Sequence, residues 1–233
     1  MKTIGLLGGM SWESTALYYR LINEGVKARL GGLHSASLVL VSVDFHEIEQ
    51  LQQRGGWTAA GQRLAQAAQQ VAAAGADCLL ICTNTMHKVA PQVQAALSIP
   101  VLHLADATAA RVRAAGMRRV GLLGTRFTME EDFYRGRLAQ KHGLEVLVPP
   151  PAERELVHRV IYDELCLGRV EAASRAAYLR IMQGLQARGA EGIIEGCTEI
   201  VLLVQPQHTN IPLFDTTAIH AAAAVDWALA PAG

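Results

Sequence analysis

The 233-residue chain has no surplus of either charge. Lys+Arg and Asp+Glu both number 21, so the formal net charge is zero. No block of like charge appears, which argues against a nucleic-acid partner or binding to a charged membrane surface. No apolar run reaches the roughly 18 residues that read as a membrane span. The amino end, MKTIGLLGGMSWES, has one lysine and a short apolar run broken by glycines. No small-residue cleavage site follows, so it does not read as a signal peptide. Cysteine is scarce. Cys78, Cys82, Cys166 and Cys197 lack zinc-ligand spacing and are too few for a disulfide scaffold, which predicts free thiols in a cytoplasmic protein. A dinucleotide fingerprint is missing too, because GLLGGM at Gly5–Met10 is not G-x-G-x-x-G. What remains is 51% hydrophobic, enough for a core. The length suits one large domain or two lobes of about 100–120 residues.

The chain contains one stretch twice. GADCLLICTNTM at Gly75–Met86 aligns without gaps on GAEGIIEGCTEI at Gly189–Ile200, which sets Thr83 opposite Cys197. Each copy has a helix-ending glycine, a short apolar run and then small polar residues. This reads as a buried strand with a ligand-facing carboxyl end. Upstream, GLLGGM matches GLLGTR at Gly121–Arg126; downstream, Ile99–Leu102 matches Ile211–Phe214. Landmarks in the same order at nearly the same spacing predict two similar α/β lobes, residues 1–115 and 116–217. A last helix over 218–230 is free to pack back on the first lobe. If the lobes face each other, Thr83 and Cys197 enter one cleft from opposite sides.

In order, strands are predicted at Thr3–Leu7, Ser37–Val43, Cys78–Ile81 and Val101–Leu104, then at Arg119–Leu123, Glu145–Val148, Gly192–Glu195 and Pro212–Phe214. Helices fall between them. Ser11 and Ser14 are N-cap candidates for the first, Asp106 caps the one ending at Gly116, and Thr128-x-x-Glu131 reads as a capping box opening a helix to His142. Alternating strands and helices imply right-handed βαβ units and mostly parallel sheets.

Cys197 follows a strand and precedes Thr198-Glu199, which read as the first turn of a helix. A helix N-terminus there would stabilise the thiolate as a nucleophile or base; the plain alternative is an inert buried cysteine. Thr83-Asn84-Thr85 offers hydroxyls, an amide and backbone N–H groups suited to a carboxylate, or else ordinary helix capping. Backbone near Met10, Thr125, and Gln52 are further substrate-binding candidates. Asp44, His46, Glu47 and Glu49 have metal-ligand residue types but no ligand spacing, and read as a solvated loop. His87 and His103 read as hydrogen-bonded structural histidines.

GLLGGMSWEST at the amino end, CTNTMH at Cys82–His87, GCTEI at Gly196–Ile200 and FDTTAIHA at Phe214–Ala221 together resemble the aspartate/glutamate racemases, closest to the L-aspartate/glutamate-specific branch. The resemblance covers the whole chain. It implies two pseudo-symmetric Rossmann-like lobes, each a mostly parallel sheet flanked by helices, with the active site in the cleft between them. It implies inversion of an acidic amino acid at Cα by two facing cysteines, without pyridoxal phosphate or metal, in a protein that is often a homodimer. Here the first cysteine's place is taken by Thr83, with Cys82 one residue earlier and turned to the other face. The implied pair is therefore Cys197, removing the proton of the L-substrate, and Thr83, reprotonating the opposite face. Met10, Gln52, Thr83, Asn84, Thr85, Thr125, Thr198 and Glu199 are the expected substrate contacts. Maleate isomerase, hydantoin racemase and arylmalonate decarboxylase chemistries share the scaffold, and a non-catalytic binder of small acids is the alternative outside enzymes.

Overall fold

In the computed structural model, which describes residues 1–231, the chain divides into two compact units. One is Met1–Leu104 with the segment from His220 onward; the other is Ala105–Ile219. The elements run β1 (Ile4–Gly8), α1 (Trp12–Leu30), β2 (Leu38–Ser42), α2 (Phe45–Gln53), α3 (Trp57–Ala73), β3 (Cys78–Ile81), a 3-10 turn (Thr85–Val89), α4 (Ala90–Ala95) and α5 (Leu104–Ala114). They continue with β4 (Arg119–Gly124), α6 (Arg126–Glu130), α7 (Arg135–His142), β5 (Glu145–Leu147), α8 (Pro151–Asp163), a 3-10 turn (Leu165–Leu167) and α9 (Ala172–Ala187). Then come β6 (Gly192–Gly196), α10 (Ile200–Leu203), a 3-10 turn (Pro206–His208), β7 (Leu213–Asp215) and α11 (Thr216–Leu229). Among the described residues no helix is long and apolar enough to cross a membrane.

The first unit has a parallel sheet in the order β2-β1-β3, with Ile4 opposite both Leu38 and Cys78. β1 and β3 are buried on both faces, as expected of apolar runs in a parallel sheet covered by helices. Alternation splits them between two cores. Leu7, Leu79 and Ile81 pack with Leu64 and Val71 of α3. Ile4, Leu6, Cys78, Leu80 and Cys82 pack with Tyr18 and Ile22 of α1 and Ala221, Ala224 and Val225 of α11. The strand expected at 101–104 shrinks to a single parallel bridge between Val101 and Leu79. The reason lies 17 positions back in the chain: the Leu104 backbone N–H is taken by His87 Nε2, and α5 begins there.

The second unit repeats the order with one more full strand, β5-β4-β6-β7, all parallel. Two expected caps are corrected. Thr125, not Thr128, is the N-cap, accepting from the Thr128 N–H, and the helix breaks after Glu130 before α7. Asp106 lies in the first turn of α5 rather than at its cap. Its carboxylate accepts from Arg137 (2.7 Å twice), Lys141 (2.7 Å) and His142 (2.8 Å). Burial pushes the Asp106 carboxyl up, but these three donors outweigh it and hold it well below the usual carboxylate range. The same contacts tie α5 to α7, so the division between units falls within α5, before Ala105.

α11 is divided likewise. It starts in the second unit, and from His220 on it belongs to the first. His220 Nε2 donates to the Leu102 carbonyl (2.7 Å), so Nδ1 must accept from the Tyr18 hydroxyl (2.8 Å). Burial, helped by nearby His87, pushes His220 down to about 3, against its bond to Leu102. A base whose folded pKa is depressed contributes stability that is present above its unfolded value, about 6.5, and is lost as pH falls below it. The expected outcome is a loss approaching about 1.4 kcal/mol per pH unit between roughly pH 6 and 4 from this one group. Urea unfolding at stepped pH checks it: His220→Gln should show a flatter acid slope than the wild type.

Candidate active site

In the first unit the chain turns at the carboxyl ends of β1 and β3. Gly9 has φ +93°, and a Cβ there would lie 2.1 Å from the Val43 carbonyl oxygen, so only glycine fits. Its N–H donates to Thr15 Oγ1 (2.8 Å), which in turn donates to the Ser11 carbonyl (2.8 Å). Ser14 Oγ donates to the Cys82 carbonyl (3.0 Å), joining the start of α1 to the end of β3.

Past Cys82 the chain bends away. Thr83 is partly exposed, whereas Asn84 and Thr85 beside it are buried. His87 Nδ1 lies 2.8 Å from the Thr83 carbonyl, and its Nε2 accepts from the Leu104 N–H (3.2 Å). A carbonyl can only accept and a backbone N–H can only donate, so His87 is the neutral Nδ1–H tautomer. It is a structural histidine that pins the backbone of Thr83. Cys82 has no exposed surface, and burial alone drives its thiol far above the ordinary value. Cys78 is likewise pushed up to about 12, mainly by burial.

In the second unit, Gly196 ends β6 and Cys197 starts the turn into α10. A Cβ on Gly196 would meet the Leu123 carbonyl oxygen at 2.9 Å, which accounts for glycine before the cysteine. Cys197 keeps part of its surface open, and its thiol donates to Glu199 Oε2 at 2.9 Å. Burial of the sulfur and then the Glu199 carboxylate raise the Cys197 thiol well above its ordinary value; the Glu199 backbone N–H pulls weakly the other way. This corrects the expectation of a thiolate stabilised by a helix N-terminus. α10 has four residues and begins three positions later, so its dipole is too small and too far along to outweigh a carboxylate in direct contact. The resting group is a thiol hydrogen-bonded to a base.

The other predicted residues separate by what they touch. Thr198 Oγ1 accepts from the Thr217 hydroxyl (3.3 Å). Thr125 is buried as the cap of α6. The Met10 side chain belongs to the core beside α3, so any ligand contact falls to its backbone. Gln52 is 5% exposed on α2, with Nε2 2.9 Å from Met86 Sδ and Oε1 without a hydrogen-bond partner. The acidic cluster is spent on its own helix and neighbours: Asp44 caps α2, His46 meets Gln50 (2.9 Å), and Glu47 pairs with Arg63 (3.2 Å). Three features of these two turns went unforeseen in the sequence. Ser14 read there only as an N-cap candidate, and Thr15 and Thr216-Thr217 only as parts of motifs. Glu195 read as one more strand residue, although an acid inside the run GIIEG was itself a signal.

Comparison with known proteins matches residues 7–224 to the family model described as Asp/Glu/Hydantoin racemase. A crystal structure of a putative Asp/Glu racemase from Yersinia pestis is 59% identical, covering 99% of this chain and 100% of that one, with a TM-score of 0.94. An aspartate racemase homologue from Pyrococcus horikoshii is 33% identical, covering 98% and 99% of the two chains, with a TM-score of 0.84. The broad specificity amino-acid racemase RacX of Bacillus subtilis is 24% identical over 163 residues, spanning 67% of this chain and 66% of that protein. Two parallel α/β units with matching turns after β3 and β6, a thiol set against a carboxylate at the second, and these likenesses over nearly the full length have one reading: the chain belongs to the Asp/Glu/hydantoin racemase family of isomerases.

Proposed function

We propose that this chain racemises aspartate, glutamate or both without a cofactor, Cys197 removing the α-proton of the L-enantiomer and Thr83 protonating the opposite face of the same carbon. The observation that carries the reading is the 2.9 Å contact from the Cys197 thiol to Glu199. A thiol must lose its proton before it can take one from carbon, and a carboxylate in hydrogen-bond reach is where that proton goes. Desolvation disfavours the bare thiolate, so it forms only fleetingly and is correspondingly basic when it does.

Removing the α-proton spreads negative charge onto the substrate carboxylate. Hydroxyl and backbone donors at Thr83, Asn84, Thr85 and Thr198 suit that charge. The protonating step asks Thr83 for a proton that water behind it replaces. Met10 backbone, Gln52 and Thr125 are the remaining contacts of this reading. The enzyme is further taken to work in the cytoplasm as a homodimer, on the free amino acid, with no metal.

The direct test is to incubate purified protein with L-aspartate and L-glutamate separately and follow the loss of optical rotation. At least one should decay to zero rotation. Stable rotation of both, alongside ligand-induced thermal stabilisation, would leave a binder in place of a racemase.

A further inference from the structure

Glu195 has no part in the chemistry above, yet it sits at the centre of the elements that hold Cys197. It is 3% exposed, on an otherwise apolar strand, and its Oε1 has no hydrogen-bond partner. A buried carboxyl with one oxygen left unpartnered is expensive where an aliphatic side chain would fit, which asks for a reason. Strand register sets it beside Asp215: the two are opposed residues on adjacent parallel strands, so they share one face of the sheet at about 5 Å strand spacing. Ile193 shares that face, and α9 covers it, since a Cβ on Gly121 would meet both Ile193 and Leu185.

Asp215 has a definite task. Its Oδ1 accepts from the N–H groups of Thr217 (2.9 Å) and Ala218 (3.0 Å), capping α11. The two threonines so positioned reach back to the Cys197 turn. Thr216 Oγ1 donates to the carbonyl of Glu195 itself (2.8 Å), and Thr217 Oγ1 donates to Thr198 Oγ1 (3.3 Å). Both threonines are fully buried.

We infer that Glu195 is a protonation-dependent positioning residue: while it carries its proton, Asp215 and Thr216-Thr217 hold the Cys197 turn, and when it ionises the paired negative charges loosen that cap and free the turn. The inference rests on the role given to Cys197 above. Burial first, and the Asp215 charge second, push Glu195 up to about 8, which puts the switch just above neutrality. Burial raises Asp215 as well, against the two N–H groups it caps. Other charged and titratable groups on the surrounding elements are committed or outside. Arg111 of α5 lines the groove that Asp215 edges. On α9, Tyr178 donates to the Val157 carbonyl and Arg175 to the Leu203 carbonyl, while Arg180 is exposed. Glu199 is engaged by the Cys197 thiol, and β4 between Val120 and Gly124 carries no charge.

An acid with a raised folded pKa binds a proton that the unfolded chain releases, so its presence lowers stability as pH rises from the unfolded value to the folded one. Glu195→Gln removes that linkage at nearly constant shape. Urea unfolding of wild type and variant at pH 6, 7 and 8 should show the variant gaining roughly tenfold in relative folding equilibrium constant per pH unit, levelling near pH 8. Peptide-resolved alkylation of Cys197 with iodoacetamide from pH 7 to 9.5 tests the positioning. The wild type should show a several-fold excess over Glu195→Gln above pH 8 and none at pH 7, and Thr217→Val should show the excess at every pH. Parallel unfolding curves, or alkylation rates that stay equal across the range, would overturn the inference. Neither readout needs turnover, so a failure of the racemase reading would show separately, as absent α-proton exchange in the wild type.

Discussion

Cys197→Ser is expected to lower kcat/KM for racemisation by at least about 10³-fold while leaving the fold intact, as read by circular dichroism and thermal unfolding. A serine hydroxyl fills nearly the same space and can keep the hydrogen bond to Glu199, so packing and satisfaction of the carboxylate survive. What is lost is the acidity of the group. A thiol, even one raised by burial, gives up its proton far more readily than an alcohol, and removal of a weakly acidic α-proton depends on that anion forming. The change should appear in kcat with KM little altered, because the interaction at stake belongs to the transition state. An unchanged kcat would remove Cys197 from the reaction.

The second large effect is expected at Thr83. Thr83→Ala should lower turnover by about 10²-fold or more, and Thr83→Cys should keep or raise it, since a thiol exchanges protons more easily than a hydroxyl. Cys82→Ala, which empties a core position facing Tyr18 and Ile22, should change stability by about 1 kcal/mol and leave kcat within a small factor. If Cys82→Ala and not Thr83→Ala stops turnover, the register of the site is wrong by one residue. The unequal pair also has a kinetic signature. In heavy water, α-deuterium should enter faster starting from pure L-substrate than from pure D-substrate, because Cys197 is the better base. Both reactions must still end at the racemate with equal kcat/KM, since enantiomers have equal free energy; the asymmetry lies in proton exchange and in a low turnover from the D-substrate. Equal fast exchange from both enantiomers would refute it.

The folded-state pKa values of His220 and Glu195 fall on opposite sides of neutrality. His220 removes stability on the acid side, below about 6.5, where a neutral buried imidazole must charge. Glu195 lowers it progressively toward about 8. Both arise from burial, with opposite sign because one group is a base and the other an acid.

The duplicated stretch was legible in the sequence because a strand buried on both faces must be continuously apolar, and its carboxyl end must break that run. β3 and β6 accordingly lie where GADCLLI and GAEGIIE place them. The pairing Gly75 on Gly189, the helix-ending glycines and the Ser11 cap follow from local chemistry that a few neighbouring residues settle. Failures came where distant groups decided. Asp106 is a sound local cap, but Arg137, Lys141 and His142 lie 31 to 36 positions away and claim its carboxylate. The strand at 101–104 had the right composition and lost Leu104 to His87. Thr128-x-x-Glu131 fitted a capping box, yet Thr125 stood three residues nearer the strand end.

So the sequence alone determined the two-unit α/β plan, the positions of Thr83 and Cys197 at strand ends, and the turn of Cys82 into the core, because periodicity and backbone sterics are local. Only the tertiary structure decided the protonation states. Whether Cys197 rests as a thiol, which tautomers His87 and His220 adopt, and that Glu195 lies beside Asp215 all depend on burial and on partners brought close by folding, and no spacing along the chain encodes a local dielectric.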